Sequence, residues 1–80
     1  MDVYKRETRV IMRRFILRQM TFPRCIAAMD AALATLIPSL RSKDLPELRA
    51  FMLANNEKIM AEMERRAAEH KKKVRQFKKQ

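Results

Sequence analysis

The sequence predicts an all-α protein of three helices, the last of them long. The chain has 80 residues, no glycine and 3 prolines, and strong helix formers such as Ala, Leu, Met, Arg, Lys and Glu dominate it. Apolar residues recur at helical spacing between the prolines. A chain this short buries only about 60% of the surface that its unfolded form exposes. We therefore expect one domain, residues 1–80, folded as a helical hairpin or bundle and stabilised by dimerisation or by a partner.

The first helix is predicted over residues 3–20. Asp2 stands at a capping position, and basic residues occupy the side opposite an apolar face. Residues 15–20 lose this division, which predicts burial on more than one side or contact with another chain. The apolar face consists of Tyr4, Thr8, Ile11 and Phe15.

The second helix is predicted over residues 22–37. Thr21 is a good N-cap, and Pro23 is tolerated in a first helical turn, where its missing amide hydrogen has no helical partner. Pro38 disfavours the helical conformation at the residue before it, so the helix is expected to end there. Its apolar stripe consists of Cys25, Ile26, Met29, Leu33, Leu36 and Ile37.

The third helix is predicted over residues 45–77. Asp44 is an N-cap acid with Pro46 in the first turn, and Glu47 is placed to reach back to the amide of the cap. No later proline or glycine ends this helix, although Asn55-Asn56 offers an alternative break, since asparagine is a mediocre helix former. At about 50 Å it is twice the length of the second helix, so half of it lacks a partner within the chain.

An apolar stripe on the third helix predicts a homodimer in which two copies of this helix pair. Its spacing is close to that of a coiled-coil heptad, with one irregular step after Met63, and Asn56 is a polar residue able to fix the register. The alternative is that the stripe docks on a larger protein. The residues are Met52, Asn56, Ile59, Met63, Ala67, His70, Val74 and Phe77.

The sequence contains no recognisable catalytic or cofactor-binding motif. A single Cys25 excludes an internal disulfide, and a single His70 disfavours a metal site. Phosphate-binding loops require glycines that the chain lacks. Cys25 is interpreted as a small buried residue, with a reactive thiol as the alternative. We therefore predict a protein that is not an enzyme and uses no cofactor or small-molecule substrate.

Positive charge is concentrated at both ends of the chain. The net charge is +10; residues 1–24 carry seven Lys or Arg against two acids, and residues 65–80 carry eight against one. Such ends favour polyanions, of which nucleic acid is the commonest in the cytoplasm, the expected location. The longest nearly apolar run, residues 25–37, is too short to span a membrane.

These charges predict non-catalytic binding of DNA or RNA through phosphate contacts. No aromatic platform or recognition helix that would read bases is evident. The predicted phosphate-binding residues are Lys5, Arg6, Arg9, Arg13, Lys71, Lys72, Lys73, Arg75, Lys78 and Lys79. We expect folding or dimerisation to bring the two groups together into one positive surface.

Three other interpretations remain open. The protein is alternatively a helical adaptor or inhibitor that docks its apolar stripe on a larger partner and uses its basic ends for orientation. Residues 1–24 are Arg-rich and amphipathic like an organelle transit peptide, although Asp2, Glu7 and the shortage of serine disagree with that type. A basic amphipathic helix can also lie on an anionic lipid surface.

Overall fold

In the computed structural model, the backbone is described for residues 1–78 and the side chains for residues 1–74. Within this part, the chain forms the helices α1 (Asp2–Ile16), α2 (Phe22–Leu36) and α3 (Leu45–Lys78), and no strand. The short 3-10 turns Ile37–Ser39 and Ser42–Asp44 join α2 to α3. The prediction of an all-α fold with a long last helix is confirmed.

The end of α1 lies at Ile16, and the prediction that this helix continues to residue 20 is wrong. The Gln19 amide donates to the Arg14 carbonyl at 2.9 Å and the Arg18 amide to the Phe15 carbonyl at 3.1 Å, the pair of bonds that defines a Schellman motif. Arg18 has a φ of 62°, in the left-handed region that glycine normally occupies. The apolar residues after α1 belong to a turn, from which Met20 packs against the core.

The helix α2 begins and ends close to its predicted bounds. The backbone of Thr21 is extended, and its hydroxyl accepts a hydrogen bond from the Arg24 amide at 3.4 Å. Pro23 lies in the first turn, as its missing amide hydrogen allows. The regular helix ends at Leu36, and the chain continues into the 3-10 turn that contains Pro38. Local chemistry is therefore enough to define this helix.

The start of α3 uses different hydrogen bonds from those predicted. The Asp44 carboxylate accepts from the Arg41 amide at 3.3 Å and so closes the 3-10 turn before the helix. The carboxylate of Glu47 does not reach back to the cap but lies 2.5 Å from Nζ of Lys5 in α1. A contact between helices thus replaces half of the predicted capping box.

The helix α3 is uninterrupted over 34 residues and passes through Asn55 and Asn56 without a break. It is about 51 Å long. The molecule measures 58 × 21 × 15 Å, and its radius of gyration of 16.2 Å exceeds the value of about 12 Å expected for a compact chain of this length. None of the helices in the described residues combines the length and the apolar character that crossing a bilayer requires.

The helices α1 and α2 form an antiparallel hairpin that covers only the first part of α3. The ring of Tyr4 lies 5.6 Å from that of Phe51, and Arg66 lies over the ring of Phe15, so α1 runs parallel to α3. Two groups of buried residues hold the helices together. One contains Tyr4, Ala32, Leu36 and Leu48, and the other contains Met12, Phe15, Cys25 and Ile59.

Candidate functional site

Three side chains fasten the end of α1 to the middle of α3: Phe15, Glu62 and Arg66, which we call the clasp. Phe15 is fully buried, and the guanidinium carbon of Arg66 lies 4.4 Å from the centre of its ring. Arg66 also donates to the Phe15 carbonyl oxygen at 2.7 Å and, through Nε, to Glu62 at 3.0 Å. Cation–π contact and charge-assisted hydrogen bonds therefore act together to set where α3 leaves the hairpin.

Glu62 is a buried carboxylate between two arginines. Its side chain is 6% exposed, and its second oxygen accepts a hydrogen bond from Arg65 at 2.5 Å. The hydrogen bonds from Arg65 and Arg66 hold the pKa of Glu62 below its usual value, although burial acts in the opposite direction. Glu62 is thus ionised at neutral pH, and part of the charge of both arginines is already compensated within the protein.

A group of exposed cations lies along α1 and the adjoining side of α3. Arg9 and Arg13 line a groove of about 370 Å³ together with Lys58 of α3, and Arg6 is exposed on the same helix. Within the described residues, none of these four side chains has a carboxylate within 4.0 Å. We call Arg6, Arg9, Arg13 and Lys58 the α1 patch.

The structure changes the expected membership of this patch at two lysines, Lys5 and Lys58. Lys5 was predicted to contact phosphate, but its side chain is 26% exposed, forms an ion pair with Glu47 and lies 5.7 Å from the ring centre of Phe51. Lys58 was not predicted, because it lies in the slightly acidic middle of the sequence. Only the packing of α1 on α3 places it beside arginines that are more than forty residues earlier.

The second predicted group of cations lies on α3 beyond the clasp. Lys71, Lys72 and Lys73, the arm lysines, are exposed on the outermost described turns of the helix. The side chains of the remaining predicted residues, Arg75, Lys78 and Lys79, lie outside the described residues. No ion pair involving an arm lysine occurs within the described part of the chain.

The α1 patch and the arm lysines do not merge within one chain. Because α1 runs parallel to α3, the patch lies beside the middle of α3 and the arm lysines lie farther along the same axis. Lys58 and Lys72 are separated by about 21 Å along the helix and by only about 40° around it. Folding therefore places Lys72 in line with Lys58, whereas Lys71 lies about 140° around the helix from Lys58, and the two groups do not form one groove.

A pocket lies where the α1–α2 turn meets α3, and it shares Lys73 with the arm lysines. It has a volume of about 490 Å³, and its lining includes the cations Arg18, Arg24, Arg66 and Lys73, the His70 side chain and one carboxylate, that of Glu69. Arg18 forms an ion pair with Glu69 at 2.5 Å, and this hydrogen bond holds the pKa of Glu69 below its usual value. We call this cavity the turn pocket. Sequence reasoning did not identify it, because its residues come from three separate segments.

The predicted dimer seam is divided by the fold. Ile59 is buried in the chain's own core, and Met52 and Met63 pack against that core, so Ile59 is not available to a second chain. The remaining described members of the seam are exposed: Asn56, Ala67, His70 and Val74. The side chain of Phe77 lies outside the described residues.

The exposed residues of α3 define a different and more regular seam. Leu53 is 56% exposed, Met60 is 60% exposed and Val74 is 39% exposed. When Leu53 and Met60 replace their neighbours Met52 and Ile59, the irregular step disappears and the spacing alternates strictly between 3 and 4, as in a heptad. We call this set the exposed seam; all its members are exposed except Met63, which is half-buried against the core: Leu53, Asn56, Met60, Met63, Ala67, His70 and Val74.

Cys25 and His70 occupy different environments. Cys25 is fully buried in the core beside Phe15, and burial raises the pKa of its thiol, which favours the unreactive protonated form. His70 is exposed and lines the turn pocket. Among the described residues, no three His, Cys, Asp or Glu side chains lie close enough together to hold a metal ion.

Comparisons with protein families, with curated proteins and with solved structures found no match to this chain. Function must therefore be inferred from the side chains themselves. The features available are the α1 patch, the arm lysines, the turn pocket and the exposed seam. The first three are cationic and follow one another along the length of α3, whereas the seam is mainly apolar.

Proposed function

We propose that this protein binds nucleic acid without catalysis, through phosphate contacts made by the α1 patch and the arm lysines. The observation that carries this proposal is the α1 patch, whose three arginines and one lysine have no carboxylate partner in the described residues. Arginine adds forked hydrogen bonding to phosphate oxygens that lysine does not supply. Uncompensated cations on a folded surface attract polyanions and release their counterions on binding.

The spacing of the cations supports a ligand with regularly repeated phosphates. The line from Lys58 to Lys72 is about 21 Å long, and one strand of duplex DNA carries a phosphate about every 3.4 Å. The line therefore spans about six phosphates of one strand. Among the described residues, no Phe, Tyr or Trp side chain lines the groove of the α1 patch or the turn pocket, so binding is expected to depend little on base sequence.

The test is the salt dependence of binding to duplex DNA and to structured RNA. Each phosphate contact contributes about 0.9 to the slope of log affinity against log salt concentration. The variant with Arg6→Gln, Arg9→Gln and Arg13→Gln is expected to lower this slope by about 2 to 3. Fluorescence anisotropy over a range of salt concentrations measures it.

A matched control removes the same number of charges elsewhere. Arg41, Lys43 and Arg49 are exposed at or just before the start of α3 and do not belong to the α1 patch, and their exchange for glutamine is expected to leave the slope nearly unchanged. An equal loss in both variants would mean that overall charge, not the α1 patch, attracts the ligand. Binding that does not weaken with salt would contradict the proposal altogether.

The exposed seam supports a second candidate function, protein–protein association through α3. Three apolar side chains spaced along this seam, Leu53, Met60 and Val74, are between 39% and 60% exposed, and the strict heptad spacing suits another helix. The partner is a second copy of the chain or a larger protein for which this chain is an adaptor or inhibitor. A homodimer remains the first expectation, because a chain of this size benefits from added burial.

Sedimentation velocity distinguishes these partners. A dimer whose dissociation is promoted by Met60→Glu, but not by Ile37→Glu at a position that is 57% exposed outside the seam, supports pairing of α3 with itself. A monomer at high micromolar concentration would rule out the dimer and would direct attention to a larger protein partner.

A further inference from the structure

The turn pocket gathers cations from three separate segments around one concave space. Arg18 comes from the α1–α2 turn, Arg24 from the first turn of α2, and Arg66 and Lys73 from α3. Four cationic side chains therefore face a cavity that has a single carboxylate, Glu69, in its lining. Its volume of about 490 Å³ falls in the range of small-ligand sites, which is about 300 to 1,000 Å³.

The four cations differ in whether groups of the protein itself already form ion pairs or hydrogen bonds with them. Arg66 is held by Glu62 and by the Phe15 carbonyl, and Arg18 is paired with Glu69. Arg24 and Lys73 have no carboxylate within 4.0 Å among the described residues. The pocket thus combines an arginine fixed in position by the clasp with two cations that form no close ion pair, although the charge of Lys73 also acts on Glu69. With four cations and one carboxylate in its lining, it retains a local excess of positive charge.

These side chains match the chemistry of a phosphate group. A guanidinium presents paired N–H donors that fit two oxygens of a phosphate, and a lysine ammonium adds a compact charge. Because Arg66 is already held in place, binding does not have to order its side chain. A terminal phosphate would use more of these donors than a carboxylate, since it has three free oxygens and a larger charge, whereas a phosphodiester within a strand resembles a carboxylate in offering two oxygens and one charge.

We infer that the turn pocket binds a phosphate group, presented by a nucleic-acid strand that also contacts the α1 patch. The strand as the source rests on the proposed function, because the pocket follows the α1 patch along α3 and shares Lys73 with the arm lysines. A phosphate group within the strand, a phosphate at a strand end and inorganic phosphate share the chemistry that Arg24 and Lys73 recognise, and the experiment separates these sources.

The single histidine of the chain provides a direct probe of this pocket. His70 is part of the lining, and the chain contains no other histidine, so its imidazole proton signals in an NMR spectrum need no assignment. The full-length protein is titrated at constant pH and ionic strength with inorganic phosphate, with sodium chloride as the reference anion. Two further titrations use one short duplex carrying either a 5′-phosphate or a 5′-hydroxyl end.

The expected result is a saturable shift of the His70 signals with phosphate that chloride does not produce. A larger response to the 5′-phosphate duplex assigns the pocket to a strand end, and equal responses to both duplexes assign it to a phosphate within the strand. Saturation by inorganic phosphate alone, with no response to either duplex, would overturn the strand as the source while leaving the pocket as a phosphate site.

Two variants decide whether the pocket cations are responsible. Arg24→Gln and Lys73→Gln are each expected to raise the phosphate concentration at half saturation about tenfold, which corresponds to about 1.4 kcal/mol. The control Arg49→Gln removes the same charge from an exposed position outside the pocket and is expected to change it less than twofold. Equal weakening by all three variants, or no saturable shift with any phosphate ligand, would overturn the inference.

The outcome is independent of the test of the proposed function. If duplex binding depends on salt and on the α1 patch but Arg24→Gln changes neither affinity nor the His70 signals, the proposed function stands and the turn pocket is not a phosphate site. If inorganic phosphate saturates the His70 shift but no nucleic acid binds, the pocket stands and the proposed function fails. An acidic protein that shifts the same signals when nucleic acid does not would likewise overturn the strand as the source.

Discussion

The first half of α3, up to the clasp, differs from the part beyond it, although both belong to one helix. Leu48, Ile59 and Glu62 are buried in the first half, whereas every described side chain from Ala67 to Val74 is exposed. The outer part is richer in cations, but it still carries apolar residues at helical spacing, such as Ala67 and Val74, which are left exposed. Burial along α3 is therefore decided by how far the α1–α2 hairpin reaches.

The exposed part of α3 is helical because it continues a helix that is already formed. An isolated helix of about 12 residues is marginal in water, since forming its first turn is unfavourable. The packed half supplies that first turn, and each further residue adds one hydrogen bond. The contrast separates two environments: the packed half holds the fold, and the described side chains of the outer part leave cations and apolar residues exposed.

Among the tests of this contrast, the replacement of Phe15 is expected to change the free energy of unfolding most. Phe15→Ala removes a fully buried ring from the clasp and is expected to lower the free energy of unfolding by about 3 to 5 kcal/mol. The control Val74→Ala shortens a 39% exposed side chain beyond the clasp and is expected to change it by less than about 0.5 kcal/mol. Urea denaturation measures both values, and similar losses in the two variants would show that the outer part of α3 is packed as tightly as the first half.

A smaller effect is expected from Glu62, and it depends on pH. Because the pKa of Glu62 is lowered in the folded state, mainly by the Arg65 hydrogen bond, its contribution to stability is present above the unfolded-state pKa of about 4.3. It is lost as the pH falls through the lower folded-state pKa. Glu62→Gln is therefore expected to destabilise the protein at pH 7 and to flatten the loss of stability in acid.

Thermal denaturation at a series of pH values checks the Glu62 prediction. The matched control is Glu64→Gln, which removes the same charge from an exposed position on the same helix. A Glu62→Gln variant whose difference from the wild-type protein stays constant down to pH 3 would show that the carboxylate charge does not stabilise the clasp.

The smallest expected effect on stability is that of replacing Arg18, in the turn between α1 and α2. Arg18 has a φ of 62°, which costs a residue with a side chain about 1 kcal/mol relative to glycine. Arg18→Gly and Arg18→Ala both remove the ion pair with Glu69, so the difference between them isolates the backbone. The glycine variant is expected to be more stable by about 1 kcal/mol, as measured by urea denaturation. Equal stability would mean that the turn relaxes when Arg18 is replaced.

Local patterns in the sequence predict the helices well but not the contacts at their ends. The Thr21 cap and Pro38 define α2 through bonds among neighbouring residues, which a sequence shows directly. The end of α1 was predicted too late, because in a chain without glycine a left-handed turn has no residue that marks it. Glu47 was predicted to cap α3 because a local pattern does not show its true partner, Lys5, which lies forty-two residues earlier.

Only part of the candidate site was predicted, because local patterns do not show contacts between distant segments of the chain. Runs of cations such as Arg6, Arg9 and Arg13 are visible in the sequence, and the structure leaves them exposed. Lys58 and Arg24 gain their significance only from neighbours on other helices. The predicted dimer seam contains Met52 and Ile59, whereas the exposed residues of α3 are their neighbours Leu53 and Met60. Periodicity locates an apolar stripe without showing which side of it the hairpin covers.

The amino-acid sequence is enough to predict that this protein is helical, that its last helix is long, and that its positive charge lies towards its ends. The helices depend on residue propensities and proline positions, which act over about one helical turn, and the charge is read directly from the residues. The packing of the helices is needed to show that α1 runs parallel to α3, that Ile59 faces inward while Met60 faces outward, and that cations from three segments surround one pocket. These properties depend on how side chains far apart in the chain pack around Phe15, and no local pattern specifies that packing.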